Sequence, residues 1–341
     1  MRTTNDDIRK AVTERIMTQL RAGHIPWAKP WRVVAGTLGM PVNVASRDAY
    51  RGINPWLLMI DAEEKGFSSP WWGTFDQWAE RCGMVRKVNG RTGKPYWYSP
   101  DGEKRGVLKG QTGTRIVLSK RVFVREVDDV TGEVTAKRVP MLRFFSVFNA
   151  DQCGHVPPKY LLGTEAWEPC AEVAEPQAVA DRYFANGGPE LVHVRGDKAD
   201  YNWRDDLVRM PERDQFPTSE GYYGALFHEA GHSTGHADRL NREPAVKLGQ
   251  WVKGDPIYAR EELCAQMTSA MLQAETGIEC PEEERRSAAY VENWLAALAN
   301  DHRLVTTAAS AAQAAVDLII GREAAYSDRD DQEETPEPIA A

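Results

Sequence analysis

His228-Glu229-Ala230-Gly231-His232 is the segment of this 341-residue sequence whose chemistry is most directly readable. On a helix, two histidines at i and i+4 lie one turn apart on the same face, so both imidazoles can reach one metal ion. Glu229 then stands beside the open coordination position. One Zn2+, or another divalent metal in its place, held by two neutral imidazoles and a carboxylate, would keep a water whose pKa falls toward 7. Glu229 is placed to take a proton from that water for attack on a carbonyl. The implied reaction is hydrolysis, with the peptide bond as the leading substrate, because the motif fixes the water and not what it attacks. A surface helix with two idle histidines is the bland reading. Against it, Gly221-Tyr222-Tyr223-Gly224-Ala225-Leu226-Phe227 supplies the apolar face that buries such a helix.

The third ligand has several candidates. His236 lies one turn further on, beyond the helix stop expected at Gly235, and Asp238 follows it. The pair Glu261-Glu262 opens a later helix. Glu262 is favoured over Glu261, because Gln266 four residues on could orient a ligand histidine, whereas Ala265 could not. Tyr258 and His236 are candidates for sharing the oxyanion.

These groups need a scaffold of ordinary size, and the length suits two domains. The reading is α+β: residues 1–162 as a helix-plus-curved-sheet domain, 163–177 as a linker, 178–326 as a mainly helical domain with a small sheet, and 327–341 as a disordered acidic tail. A first helix spans Asp6 to Arg21, capped by Thr3, Thr4 or Asn5, a second lies near Trp56–Glu64, and Thr74 caps a third. Strands follow at Arg115–Val124, Glu133–Val139 and Leu142–Phe148, with turn signals at Asn89-Gly90, Asp101-Gly102 and Thr131-Gly132. In the second half a helix is expected over Gln177–Ala185, then short strands at Leu191–Arg195 and in the region of Tyr201 to Met210.

Composition narrows the function. No apolar run spans a bilayer and the N-terminus has no signal-like apolar stretch, so a membrane location and export are not expected. Five scattered cysteines, including Cys170 and Cys280, form no CxxC pair, which points to a reducing, cytoplasmic setting. Charge is unevenly shared. Residues 1–160 carry 26 Lys and Arg against 16 Asp and Glu, and the remainder carries 16 against 34. The first half also holds seven of the eleven tryptophans, Trp27, Trp31, Trp56, Trp71, Trp72, Trp78 and Trp97. Basic surface interleaved with aromatics binds single strands by stacking and phosphate neutralisation, although any one tryptophan is more often a core residue. Arg86, Lys87 and Lys109 are the side chains expected at phosphates.

In order along the chain, Arg51-Gly52-Ile53-Asn54, Thr74-Phe75-Asp76-Gln77-Trp78, Lys109-Gly110-Gln111-Thr112-Gly113 and Phe145 to Cys153 are followed by Arg209-Met210-Pro211, Ser219 to Tyr223, His228 to His236, Arg239-Leu240-Asn241-Arg242 and Tyr258 to Leu263. In this order the motifs resemble ArdC-type antirestriction proteins and the N-terminal region of TraC primases. The resemblance covers nearly the whole chain. It implies a single-stranded-DNA-binding domain, with Trp78, Arg86, Lys87 and Lys109 as contacts, followed by a zincin-like metallopeptidase domain. Asn89 to Arg105 is an insertion relative to that pattern, and Gln266 stands where the family commonly has Glu. The implied protein belongs to a mobile element or phage, binds single-stranded DNA and cuts a DNA-associated protein. The alternative is a DNA-coating module whose zinc site is structural or silent.

Overall fold

The computed structural model describes residues 4–27, 40–127, 134–161, 175–242, 256–278 and 291–322. Trp31, the Thr131-Gly132 turn, residues 163–174 of the expected linker, Cys170, Cys280 and the tail 327–341 lie outside them. The chain is α+β and forms two compact units, Met1–Val173 with Leu298–Thr306, and Ala174–Ala297 with Thr307–Ala341.

The first unit opens with α1 (Asn5–Arg21), capped by Thr4, whose side chain accepts from Asp7 N–H while Asp7 reaches back to the Thr4 backbone. Helix α2 (Asn54–Lys65) has Pro55 in its first turn, and α3 (Phe75–Arg81) starts at a capping box of Thr74 and Gln77. Strands β1 (Val42–Asn43) and β2 (Trp71–Gly73) pair in parallel, and β2 joins β7 (Val134–Asn149), which pairs antiparallel with β6 (Thr114–Val127) to complete a curled four-stranded sheet. The two strands expected at 133–139 and 142–148 are therefore one. Pro140 stands opposite Arg121 without breaking the ladder. A separate hairpin joins β3 (Val85–Val88) to β4 (Pro95–Tyr98), the second strand falling within the Asn89 to Arg105 segment, and β5 (Gly106–Val107) pairs with β8 (Cys153–Gly154).

The core of this unit explains several motif residues. Trp71, Trp78 and Tyr160 pack edge to face beneath Val42 and Val44. Asn54 both donates to and accepts from the Val117 backbone, at 2.9 and 2.7 Å, and so acts as a surrogate strand edge for β6. Asp61 is buried among Arg15, Lys65 and Thr114, tying α1, α2 and β6 together.

The second unit begins with α4 (Pro176–Ala185) and a three-stranded sheet of order β10-β11-β9, from β9 (Glu190–Val194), β10 (Asp200–Asn202) and β11 (Leu207–Pro211). The region of Tyr201 to Met210 is a hairpin of two strands, turned at Asp206 in the left-handed conformation, φ 47°. Helices α5 (Ser219–Ser233), α6 (Pro256–Thr276), α7 (Val291–Asn300) and α8 (Leu304–Ile320) follow. Leu298–Thr306, the end of α7 and the start of α8, belong to the first unit, where the His302 carbonyl accepts from Thr13 at 2.8 Å. Among the described residues no single helix is long and apolar enough to cross a membrane.

Candidate metal centre

Helix α5 presents the motif because its start and its packing are both specified locally. Thr218 caps it, accepting from Gly221 N–H at 3.1 Å. Tyr222, Leu226, Phe227 and Ala230 bury its other faces. Gly231 sets the approach of α6: a Cβ there would lie 3.2 Å from Ala265 Cα and 3.2 Å from Thr268 Cβ. The two helices meet almost backbone to backbone at this point, and Ser269 adds a hydrogen bond to the Gly224 carbonyl at 2.9 Å. Glu262, three residues before Ala265, is thereby carried to the histidines.

Three ligand groups converge. His228 Nε2 and His232 Nε2 are 3.1 Å apart, and the Glu262 carboxylate lies across them, Oε2 3.6 Å from the first and Oε1 3.5 Å from the second. A tetrahedral ion with N and O ligands at about 2.0–2.1 Å needs ligand atoms about 3.3–3.4 Å apart, and each of these three gaps is near that size. Among the described residues this is the cluster able to hold a metal ion. His236 and Asp238 are not part of it. The His236 ring lies against Trp203, with centroids 5.0 Å apart, and Asp238 is largely in solvent.

Glu261 does a different job from its neighbour. Its Oε1 accepts from His232 Nδ1 at 3.4 Å, which leaves Nε2 of that ring for the cluster. The role assigned in sequence to Gln266 thus falls, for His232, to Glu261; Gln266 itself is buried on α6. Tyr258, expected at an oxyanion, instead donates its hydroxyl to Glu262.

The electrostatics follow from crowding charges in a buried space. Burial penalises the Glu229 anion and, with Glu262 and Asp200 nearby, raises its pKa to about 7, against the opposing pull of His232 and a hydrogen bond from the Tyr201 backbone. Burial alone would lower His232, but Glu262, Glu261 and Glu229 prevail and raise it to about 10. Burial would raise Glu262, but His232, His228 and Tyr258 hold it at about 2.

Sequence reasoning assigned no role to Arg239 or Arg242. After α5 the chain doubles back through Asn241, φ 46°, and both guanidiniums return to the end of the helix. Arg239 donates to the Ser233 carbonyl at 2.7 Å and forks onto Asp206. Arg242 donates to the Gly231 carbonyl at 2.9 Å and to Thr234 Oγ1 at 2.6 Å, and it grips both oxygens of Glu261. Cations on the last carbonyls also complement the helix dipole. The two arginines, spaced by three just past a metal-motif helix, were the available signal.

In the first unit the expected DNA contacts divide. Trp78 is fully buried and donates Nε1 to the Phe148 carbonyl at 2.8 Å, so it offers no ring face to a base, a correction to the sequence reading. Trp27, Trp56, Trp71 and Trp72 are buried too. Arg86, Lys87 and Lys109 are exposed. Lys87 lies over the Tyr98 ring, 4.3 Å from its centroid, on the same hairpin face as Tyr96, which is 45% exposed.

Residues 6–148 match the family described as the N-terminal domain of anti-restriction factor ArdC, and residues 178–311 match the zincin-like metallopeptidase family. A DNA primase TraC of Escherichia coli is 33% identical over 95% of this chain. The chain spans only 28% of that primase's length. An uncharacterized protein, y4eC, of Sinorhizobium fredii is 31% identical, with 92% of each chain covered. Crystal structures of the antirestriction ArdC protein from plasmid R388 superpose with TM-scores of 0.66 for the metal-free form and 0.67 for the Mn(II)-bound form. The sequence identities are 34% and 32%, over 92% and 94% of this chain and 96% and 100% of those.

Proposed function

Since the chain belongs to the ArdC antirestriction family and carries a zincin-like domain, we propose that it is a cytoplasmic single-stranded-DNA-binding protein whose second unit is a divalent-metal peptidase. The observation that carries the metal reading is the convergence of His228, His232 and Glu262, with gaps of 3.1 Å between the imidazoles and of 3.6 and 3.5 Å to the two carboxylate oxygens, near the ligand spacing of a tetrahedral ion. Two imidazoles and a carboxylate suit Zn2+, and the Mn(II)-bound relative supports a divalent site. An ion held there supplies Lewis acidity, polarising a carbonyl and acidifying water.

The protein's own groups do the rest. Glu229 is the general base: buried beside the two histidines and Glu262, it is placed to accept a proton from the water and pass it on. The Tyr201 backbone N–H orients that carboxylate, and Glu261 keeps His232 Nε2 aimed at the cluster. Strand β10 is an edge strand of its sheet and its Tyr201 backbone lies against Glu229, and a DNA-associated protein is the expected substrate.

DNA binding belongs to the first unit. Arg86, Lys87 and Lys109 neutralise phosphates, and Tyr96, in place of Trp78, supplies an exposed ring for stacking. The test combines metal analysis with a single-strand titration of the purified chain. About one Zn2+ or Mn2+ per chain is expected, and none in His232→Ala. With about three phosphates neutralised, single-strand affinity should fall about twentyfold between about 50 and 200 mM salt. Unchanged metal content in His232→Ala, or salt-independent binding, contradicts the reading.

A further inference from the structure

The end of helix α5 and the carboxylate behind His232 are held by one and the same side chain. Arg242 is almost completely buried, its side chain 10% exposed, and Glu261 is 2% exposed. Nε and Nη2 of Arg242 meet Oε2 and Oε1 of Glu261 at 3.1 and 2.5 Å. The same Nη2 reaches the Gly231 carbonyl at 2.9 Å and the His232 carbonyl at 3.4 Å, while Nη1 takes Thr234 Oγ1 at 2.6 Å. Glu261 in turn accepts from His232 Nδ1.

Building on the metal reading above, we infer that Arg242 is a positioning residue for the metal centre, acting through Glu261 to fix the tautomer and ring angle of His232. The reasoning is geometric. His232 is anchored at its backbone by the carbonyl contact and at its ring by Glu261, and Arg242 joins the two anchors. A planar fork can grip both carboxylate oxygens and still donate to the helix end. Lysine, a single compact ammonium, cannot do both. With Glu261 so held, the Nδ1 proton has one acceptor and Nε2 is left as the ligand atom. Arg242 touches neither the expected metal nor a substrate, so its influence is entirely second-hand.

The experiment measures Zn2+ affinity of the full chain by competition with a chromogenic chelator, beside the Tm of the metal-free protein and the His232 Nδ1–H signal by NMR of the Zn2+-loaded form. Arg242→Lys and Glu261→Gln should each weaken Zn2+ binding by about ten- to a hundredfold and shift the hydrogen-bonded Nδ1–H signal, since an unanchored carboxylate or an amide oxygen is the poorer acceptor. The double variant should be no weaker than the worse single one, because both changes cut the same chain of contacts. Should Arg242→Lys fail to fold, Glu261→Gln carries the test alone, since it leaves the helix-end bonds of Arg242 in place. Arg242→Lys or Glu261→Gln with parental Zn2+ affinity and an unshifted signal, or losses that add in the double variant, overturns the inference. A parent chain that binds no Zn2+ overturns the metal reading itself, a different failure visible before any variant is made.

Discussion

The two nitrogens of His232 face two carboxylates, Glu261 at Nδ1 and Glu262 at Nε2, and without an ion this environment raises its pKa to about 10. At neutral pH the metal-free ring is therefore protonated at both nitrogens, whereas a metal ligand must be neutral. Metal and proton compete for Nε2, so apparent Zn2+ affinity should rise about tenfold per pH unit from about 7 to about 9, with release of about one proton per ion. A calorimetric titration in two buffers counts that proton, and a flat pH profile contradicts the competition. His228, Glu229 and His232 were legible because i, i+4 spacing is a helix property that sequence displays directly. Glu261 was not, since adjacent residues on a helix point in different directions and only the packed partner, Arg242, says what each one meets. Trp78 was misread for a related reason: its basic, aromatic surroundings are visible in sequence but its burial is not. Trp78→Ala should cost about 3–5 kcal/mol of stability, as large core truncations do. Tyr96→Ala should leave Tm unchanged and weaken single-strand binding about tenfold, the loss of one stacked base. Urea melts and anisotropy titrations of both variants separate the two, and a Tyr96→Ala protein with parental affinity would remove that ring from the proposed interface.

Among the elements, α5 and α6 depend on the absence of a side chain at Gly231. Alanine there improves helix propensity by about 1 kcal/mol. Its Cβ, however, meets the Ala265 backbone at 3.2 Å, and an α-carbon inside a packed helix cannot swing aside as a side-chain end can. Overpacking of this kind costs about 1–3 kcal/mol, so Gly231→Ala should be destabilising by about 1 kcal/mol and should weaken Zn2+ binding by moving Glu262 away from the histidines. An increase in Tm with undiminished metal affinity would show that the helices had room. Local signals foretold the helices of the first unit well, because Thr4, Thr74 and Pro55 act within a turn of where they stand. They failed at β7, where separate strands were expected on either side of Pro140 and one strand instead continues from Val134 to Asn149. Whether a missing N–H matters there depends on the partner strand, which no local window contains. The same limit hid the roles of Asn54, Asn149 and Gln152. Their side chains bond backbone far away in sequence, at Val117, Ser69 and Thr112, so residues that mark the family are in part pins of its fold.

Over the molecule as a whole, the proposed activities fall in different compact units, with the basic hairpin and Lys109 in one and the metal-site residues in the other. Charge divides the same way, 26 basic against 16 acidic residues before position 161 and 16 against 34 after it. That division makes the two activities separable by mutation. Glu229→Ala removes the proposed base while leaving His228, His232 and Glu262, so the metal should remain and hydrolysis alone should be lost. It also removes a buried carboxylate whose ionisation burial opposes, so the fold should not suffer. None of Arg86, Lys87, Tyr96 or Lys109 belongs to the unit of Glu229, so single-strand affinity should equal that of the parent. Lys87→Ala with Lys109→Ala should do the reverse, weakening DNA binding and its salt dependence while the metal stays in place. Antirestriction in cells then distinguishes two mechanisms. Protection by coating the strand needs only the basic unit and should survive Glu229→Ala; protection by destroying a protein needs the base and should vanish with it. The basic excess of the first 160 residues favours coating, so the expected outcome is survival in Glu229→Ala and loss in the double lysine variant. Loss in the first with retention in the second would assign protection to hydrolysis and leave DNA binding as a means of bringing the peptidase to its substrate.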